Sequence, residues 1–386
     1  MDNGTMTINI APSQRSTVGI EWEMLLVDRD SGESRQCAPS LLQSVRDVHA
    51  GTSGVVGELL QNTVELVTDV CSTVAEAGED LARSLQRVRE AGEPLRVDVT
   101  SMGAHPYSRW ADQMVTDDAR YSTLVDRTQW WGRQMTIYGV HVHVGIDHPA
   151  KMLPITNALL TYLPHLLCLS ASSPYWQGEE TSYASNRSLM FQQLPTAGLP
   201  HMFTEWPQYE AYINDMTTMG VIEEVNEIRW DIRPVAAFGT IEVRVSDGLP
   251  SLQEVLAVAS LVQCLVDDFS ERLDRGEELP VMAPWQIAEN KWRAARYGMD
   301  AILVLDRNNR EELITDALPE LMDRLAPVAE RLGCTREFEG LNRITELGAS
   351  YQRQRKVAHQ RGLPAVVKHL VAETDAGHPL APEQTA

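Results

Sequence analysis

Three short stretches of the chain alternate apolar and polar residues strictly, and their polar positions are rich in charge. In residues 17–28, one alternating set is Val18, Ile20, Trp22, Met24 and Leu26, and the other holds Gly19, Glu21 and Glu23. In residues 139–146 the sets are Val140, Val142, Val144 and Ile146 against Gly139, His141, His143 and Gly145. In residues 240–246 they are Ile241, Val243 and Val245 against Thr240, Glu242, Arg244 and Ser246. Successive side chains of a strand point to opposite faces, so each set shares a face. If the three strands enter one sheet, one face is core. The opposite face then gathers Glu21, Glu23 and Glu242 with two imidazoles and Arg244.

Further strands are predicted at 58–68, with a turn or bulge at Gln61-Asn62, at 96–102 and at 227–233. The turn Asp30-Ser31-Gly32 follows the first strand. A helix is predicted over 74–91, with Leu81, Leu85 and Val88 on one face and Gly92 and Pro94 ending it. Residues 121–138 read as mixed and mainly helical, and 151–171 as helix-rich. A loop rich in serine, proline and aromatics covers 172–207, a length that in compact enzymes often carries function. Helices follow at 251–273, 285–297, 311–332 and 338–361. Strands do not alternate regularly with helices, which favours an α+β fold with a mainly antiparallel sheet. One catalytic domain is expected over 17–372, with a flexible segment at 1–16 and a frayed, disordered tail at 373–386.

The 386 residues are 43% hydrophobic, enough for a large core. The formal net charge of -21 disfavours nucleic acid and anionic membrane as partners. It equally repels small anionic substrates, so a site for them must supply its own cations. Cys37, Cys71, Cys168, Cys264 and Cys334 are scattered without a CxxC pair, which argues against a thiolate metal site and suits a reducing, cytoplasmic setting. No basic and then apolar leader is visible at the start. The apolar runs at 159–171 and 255–266 are too short to span a bilayer and read as buried helices.

Carboxylates joined by an imidazole suit Mg²⁺ or Mn²⁺. Such ions can bridge ATP phosphates, and a fixed guanidinium such as Arg244 suits a transferring phosphoryl group. Glu58 and Glu65 are further candidates. Their odd spacing puts them on opposite faces of a flat strand, and a bulge or hairpin would bring both inward. A merely solvated sheet face would look similar for any one strand alone. There is no GxxxxGK[ST] loop, no GxGxxG after a strand and no convincing Ser/His/Asp set.

The ordered segments Gly19-Ile20-Glu21-Trp22-Glu23, Gly139-Val140-His141-Val142-His143-Val144-Gly145 and Thr240-Ile241-Glu242-Val243-Arg244 resemble the glutamate–cysteine ligase type 2 family, the YbdK-like carboxylate–amine ligases. The resemblance also takes in residues 58–68, Asn186-Arg187-Ser188, Gly198-Leu199-Pro200, Trp230-Asp231-Ile232-Arg233-Pro234 and residues 290–298. It implies a fold like the catalytic domains of glutamine synthetase and the guanidino kinases: a curved antiparallel sheet with helices on its outer face. By that resemblance Glu21, Glu23, Glu65, His141 and Glu242 ligate Mg²⁺ or Mn²⁺, and Arg244 sits on the transferred phosphate. His143 is then a catalytic phosphate contact or a further ligand. Arg133, Arg187 and Arg233 are candidates for the α-carboxylate of the acid substrate, and surface or packing arginines are the alternative. Lys291, Arg293 and Arg296 are candidates for the nucleotide phosphates, against a solvated helix stripe.

The implied reaction joins glutamate or a similar acid to an amine such as cysteine through an acyl phosphate, with ATP as co-substrate. The glutamate–cysteine activity could be weak. A homodimer is compatible with the resemblance, though no interface is readable. The same cluster would also serve a metal-dependent hydrolase or amidase needing no ATP, a phosphotransferase of the guanidino-kinase type, or a binding protein that has lost turnover.

Overall fold

A computed structural model describes residues 7–49 and 54–385 of the chain. The strands, in chain order, are β1 Val18–Asp28, β2 Val55–Gly57, β3 Thr63–Val67, β4 Val97–Thr100, β5 Gly139–Gly145, β6 Tyr175–Trp176, β7 Glu179–Glu180, β8 Ile232–Val235, β9 Thr240–Asp247, β10 Ile302–Val304 and β11 Glu311–Leu313. Seven of them form one sheet in the order β2-β3-β1-β5-β9-β8, with β4 also paired to β1. Every pairing in this sheet is antiparallel. The class is therefore α+β, as the strand pattern predicts. β1 is long enough to take β5 along its first half, from Val18 to Trp22, and β4 along its second, from Leu25 to Asp28.

The apolar sets fall on one face and are all buried in the main core. Helices Val74–Gly92, Met152–Leu159, Leu163–Ser170 and Leu252–Asp274 contribute the other side of that core. Thr73 caps the first of these with a full capping box with Glu76, which stabilises a helix start. No single helix among the described residues is long and apolar enough to cross a membrane.

The opposite face is divided. Beyond Glu23 the outward positions of β1 become Leu25 and Val27, and a second core of Met102, Tyr138, Val357, Val366, Val367 and Leu370 covers them. The C-terminal helices Ser350–Arg361 and Leu363–Ala376 supply most of that cover. Only the part of the face carrying the charged residues is left open.

The chain ends differ from expectation. The described part of the N-terminal segment is tied down: Ala11 N–H donates to Ala236 O at 2.8 Å, and Arg15 pairs with Asp267 at 3.0 Å. At the other end the chain stays helical to Ala376. Glu373, in the expected tail, is fully buried and paired with Arg353 at 2.6 Å, and Arg353 also holds Glu254 at 2.8 Å. An apolar helix face and a buried ion triad thus outweigh the polar composition.

Three further boundaries shift. The strand predicted at 227–233 pairs only from Ile232 to Val235. Its alternation is real, but Ile228 and Trp230 fill a separate aromatic cluster rather than the sheet core. Pro234 is tolerated because β8 is an edge strand. Glu311–Leu313 pair with Ile302–Val304 before the helix Ile314–Leu332 begins. The helix predicted at 338–361 breaks at Gly348, whose φ of +89° ends one helix before the next starts.

Removing one partner of a buried ion pair strands the others in a low-dielectric interior and costs about 3–5 kcal/mol. Arg353→Leu leaves Glu254 and Glu373 unneutralised, so its urea midpoint falls by the equivalent of that amount. An unchanged midpoint would show that the triad does not anchor the C-terminal helices.

Candidate active site

The register of the sheet sets the charged residues side by side. Glu21 stands opposite His141, His143 opposite Glu242, Glu23 opposite Glu65, and Arg233 opposite Glu242. A register shift between Val140 and Val142 marks a bulge in the β5–β9 pairing. It puts Arg244 near His141, and such irregularities commonly re-aim side chains beside functional sites. Glu58 follows the end of β2, and the turn at Gln61-Asn62 lets Glu58 and Glu65 both face inward. All of these except Glu242, which is buried beneath Arg233 and Arg244, line a cavity of about 670 Å³ together with Arg187, Phe191 and Phe238. That volume is in the range of small-molecule sites.

Glu21 is the hub. Its Oε2 lies 2.8 Å from His141 Nδ1 and its Oε1 3.4 Å from His143 Nε2. Burial alone would raise its pKa, but hydrogen bonds to both imidazoles outweigh that and hold it far below the usual carboxylate range. Glu242 is fully buried between Arg233 and Arg244, both of which donate to it. Burial again opposes ionisation, and the two guanidinium charges overcome it. Glu23 behaves in the opposite way. Burial and the neighbouring charge of Glu58 push it up to about 8. Glu58 and Glu65 are raised as well, mainly by burial. Burial and the charge of Arg244 lower His141 to about 4, so its imidazole is neutral at pH 7.

Three overlapping sets have ligand atoms within 4.8 Å of one another: Glu21, Glu65 and His141; Glu21, His143 and Glu242; and Glu23, Glu58 and Glu65. His141 Nε2 is buried without a hydrogen-bond partner, 3.9 Å from Glu23 Oε1. An orphaned neutral imidazole nitrogen among carboxylates whose proton affinity is raised fits a hard divalent cation such as Mg²⁺ or Mn²⁺. All the sequence-predicted ligands, Glu21, Glu23, Glu65, His141 and Glu242, lie here. Glu58 joins them.

The loop of residues 172–207 forms one wall. Asp247, at the end of β9, accepts hydrogen bonds from Ser172 N–H, Ser173 Oγ and Ser185 Oγ at 2.7–3.0 Å. Ser173 in turn accepts from the N–H of Arg187 at 3.1 Å. Arg187 therefore lies flat on the sheet over Gly139, where a Cβ would sit 2.1 Å from its guanidinium. Gly139 N–H also donates to Glu23.

The expected substrate and nucleotide cations divide. Arg187 and Arg233 line the cavity; Arg133 is exposed and does not. Lys291, Arg293 and Arg296 also lie outside its lining. Lys291 is buried in an ion pair with Asp231 at 2.7 Å. Arg293 bridges Glu289 and Glu311 at 2.8 and 2.6 Å. Arg296 donates to Ser182 O and stacks against Tyr183 and Tyr297. Arg293 and Arg296, three residues apart, do share a helix face, with Lys291 buried on the other side, but local carboxylates, a carbonyl and aromatic rings already use these cations. The cavity also contains Arg120, which carries no motif or period in the sequence, and Arg229, which carries little. The one available signal was the alternation of residues 228–233, which sets Arg229 opposite in sense to Ile228 and Trp230.

The model of glutamate–cysteine ligase family 2 matches residues 17–369. A protein of Paenarthrobacter aurescens, provisionally named glutamate–cysteine ligase 2-2, is 55% identical over 380 residues, covering 96% of this chain and 99% of that one. A provisionally named glutamate–cysteine ligase 2 of Clavibacter michiganensis is 54% identical over 383 residues, covering 98% and 99%. Among solved structures, a glutamate–cysteine ligase from Francisella tularensis in complex with AMP superposes with a TM-score of 0.67. It is 14% identical, with 97% of this chain and 90% of that one covered, so the likeness is one of fold. A sheet with this charged face, matched over nearly its whole length by the family model and by close relatives, places the chain in glutamate–cysteine ligase family 2.

Proposed function

We propose that this chain is an ATP- and Mg²⁺-dependent carboxylate–amine ligase that forms a γ-glutamyl amide, with cysteine or a related amine as acceptor. The observation that carries the reading is the cavity floor, where overlapping carboxylate–imidazole sets meet Arg244. Membership of the family supports it, as do the names of the relatives. A side-chain carboxylate oxygen of glutamate attacks the γ-phosphorus of ATP, and the bond from that phosphorus to the bridging oxygen breaks, releasing ADP. The amine nitrogen then attacks the acyl carbon. The carbon–oxygen bond to phosphate breaks, phosphate departs, and the nitrogen loses a proton.

Glu21, Glu23, Glu58, Glu65, His141 and Glu242 would hold the divalent ions, which when bound neutralise phosphate and carboxylate charge. Glu242 orients Arg244 toward the transferred phosphoryl group, and a preoriented cation acts there without reorganisation cost. His143 is fixed by Thr240 Oγ1 at 3.0 Å and faces Glu21 and Glu242, where it would contact the transferred phosphate. Arg187 and Arg233 brace the wall and floor. The protein supplies positioning and electrostatics rather than a covalent nucleophile.

ADP release is expected with MgATP and glutamate when the correct amine is present, with a γ-glutamyl product by mass. No ADP with any amine of a panel including cysteine would move the assignment to another acid or to ATP-independent hydrolysis. Glu242→Gln and Arg244→Met lose about 10²–10³-fold in kcat with folding retained, the scale of removing one transition-state electrostatic contact. Turnover at the parent rate in either variant would take that residue out of the chemistry.

Stability gives an independent reading of the metal sets. Glu23 binds its proton more tightly folded than unfolded, with its pKa moved from an ordinary 4.5 to about 8. Its contribution is thus complete below about 4.5 and lost as pH rises toward about 8. Glu58 and Glu65 act in the same sense. Glu21 and Glu242, whose pKa values are lowered, have already contributed fully above 4.5. The metal-free thermal midpoint should therefore fall between pH 7 and 8.5. Millimolar Mg²⁺ or Mn²⁺ should restore it, because binding to the folded state alone stabilises by mass action. A midpoint indifferent to both ions at pH 8.5 would refute the metal sets.

A further inference from the structure

The five cysteines are all free thiols, and four of them are buried. Two of the four meet. Cys264 lies in the helix Leu252–Asp274, and Cys334 directly precedes the helix Thr335–Leu347. They are 70 residues apart in the chain, yet their sulfurs lie 3.8 Å from each other, and both side chains are fully buried. Cys71, by contrast, turns its thiol to Asp69 O and to Asp80.

Packing on both sides holds the sulfurs together. Gly333, at φ +69°, ends the helix Ile314–Leu332 in the left-handed region, so the chain turns straight into the next helix. Cys334 N–H closes that turn onto Ala329 O at 3.0 Å. Arg331, in the last turn before it, reaches across to Asp267 and to Glu271, the latter at 2.8 Å, on the helix that carries Cys264. Further along, a Cβ at Gly340 would sit 3.1 Å from that of Ala257, so the two helices touch closely there as well. The cover over the pair is nevertheless thin. Gly333 and Thr335, on either side of Cys334, are exposed, and nothing lies within 4 Å of a Cβ placed on Gly333.

The two thiols are not equivalent. The hydrogen bond between them holds Cys334 below the usual thiol range in spite of its burial. The same bond, with burial added, pushes Cys264 up. Cys334 also stands at the N-terminus of a helix of 13 residues, where free N–H groups favour a thiolate. One sulfur is thus prepared to react first and its neighbour to follow.

We propose that Cys264 and Cys334 form a reversible redox site, converted by a peroxide into an intramolecular disulfide. The Cys334 thiolate attacks one peroxide oxygen, the O–O bond breaks, and hydroxide leaves as water with the proton that Cys334 gave up. Cys334 is then a sulfenic acid. The Cys264 sulfur attacks it, the S–O bond breaks, and hydroxide departs as a second water with the Cys264 proton. Two thiols lose two electrons, and one peroxide is reduced to two waters. Each sulfur moves only about 1 Å to reach a bonded separation of about 2.0 Å. The bond staples the core helix Leu252–Asp274 to the C-terminal helical layer and restricts the unfolded chain. A thiol reductant reverses it by exchange. Neither cysteine lines the cavity, so the redox site stands apart from the ligase reading.

The test treats the purified full-length protein with a small excess of hydrogen peroxide, then denatures it and counts thiols. Two of the five thiols should disappear. The mass should fall by about 2 Da. Peptide mapping should join Cys264 to Cys334, and dithiothreitol should restore all five thiols. The thermal midpoint of the oxidised form should rise by roughly 4–8 °C. Cys264→Ala should leave Cys334 as a sulfenic acid that dimedone traps, and Cys334→Ala should keep its four thiols. Five intact thiols, a disulfide between other cysteines, or the same mixture of pairings from protein oxidised in urea would overturn the proposal. A mapped disulfide that leaves the midpoint unchanged would overturn the staple. The map needs only the parent protein, so it decides the matter even where a variant does not fold.

Discussion

Crowding of like charges on one sheet face governs this molecule. Glu21, Glu23, Glu58 and Glu65 converge where water is scarce, and carboxylates so placed cannot all ionise unaided. The fold answers in two ways. At one side, Arg233 and Arg244 close on Glu242, and the imidazoles of His141 and His143 close on Glu21, keeping both anionic. At the other, Glu23, Glu58 and Glu65 are left short of cations and hold protons more tightly than usual. The resulting asymmetry is a store of proton affinity that a divalent ion can exchange for its own charge, which is how metal binding and proton release become linked.

Much of this was legible because a strand has a period of two. The apolar sets of β1, β5 and β9 contain nothing polar, so their faces could be assigned before any pairing was known, and the charged sets followed. Strand order and the bulge beside Arg244 were not legible, since paired strand residues lie as far apart in the chain as Val18 and Val144. Glu58 stayed ambiguous for a related reason. Its odd spacing from Glu65 fits one sheet face only because the chain turns at Gln61-Asn62, and the exact turn cannot be read from composition.

The cations were harder to read than the anions. Arg293 and Arg296 share a helix face, yet Glu289, Glu311 and the ring of Tyr297 sit within reach and use them locally. Arg120 has no period and Arg229 only the short alternation of residues 228–233, and they come from a helix and a coil that meet only in three dimensions. Long flexible side chains on irregular backbone leave little trace in a sequence, whereas short acidic side chains on a regular strand leave a clear one. The same contrast explains the C-terminal end, where a polar-looking segment is held by Arg353 between Glu254 and Glu373.

The aromatic cluster around Trp230 is distinct from the core beneath the sheet, with Trp206 packed against both. The acidic face and the segment that carries Arg229 therefore rest on largely different packing. Residues that face Tyr209, Ile213 and Trp230 are thus packed chiefly with one another rather than with the apolar faces of β1, β5 and β9. The cavity wall that carries Arg229 and the face that carries the acidic cluster are accordingly free to change at different rates.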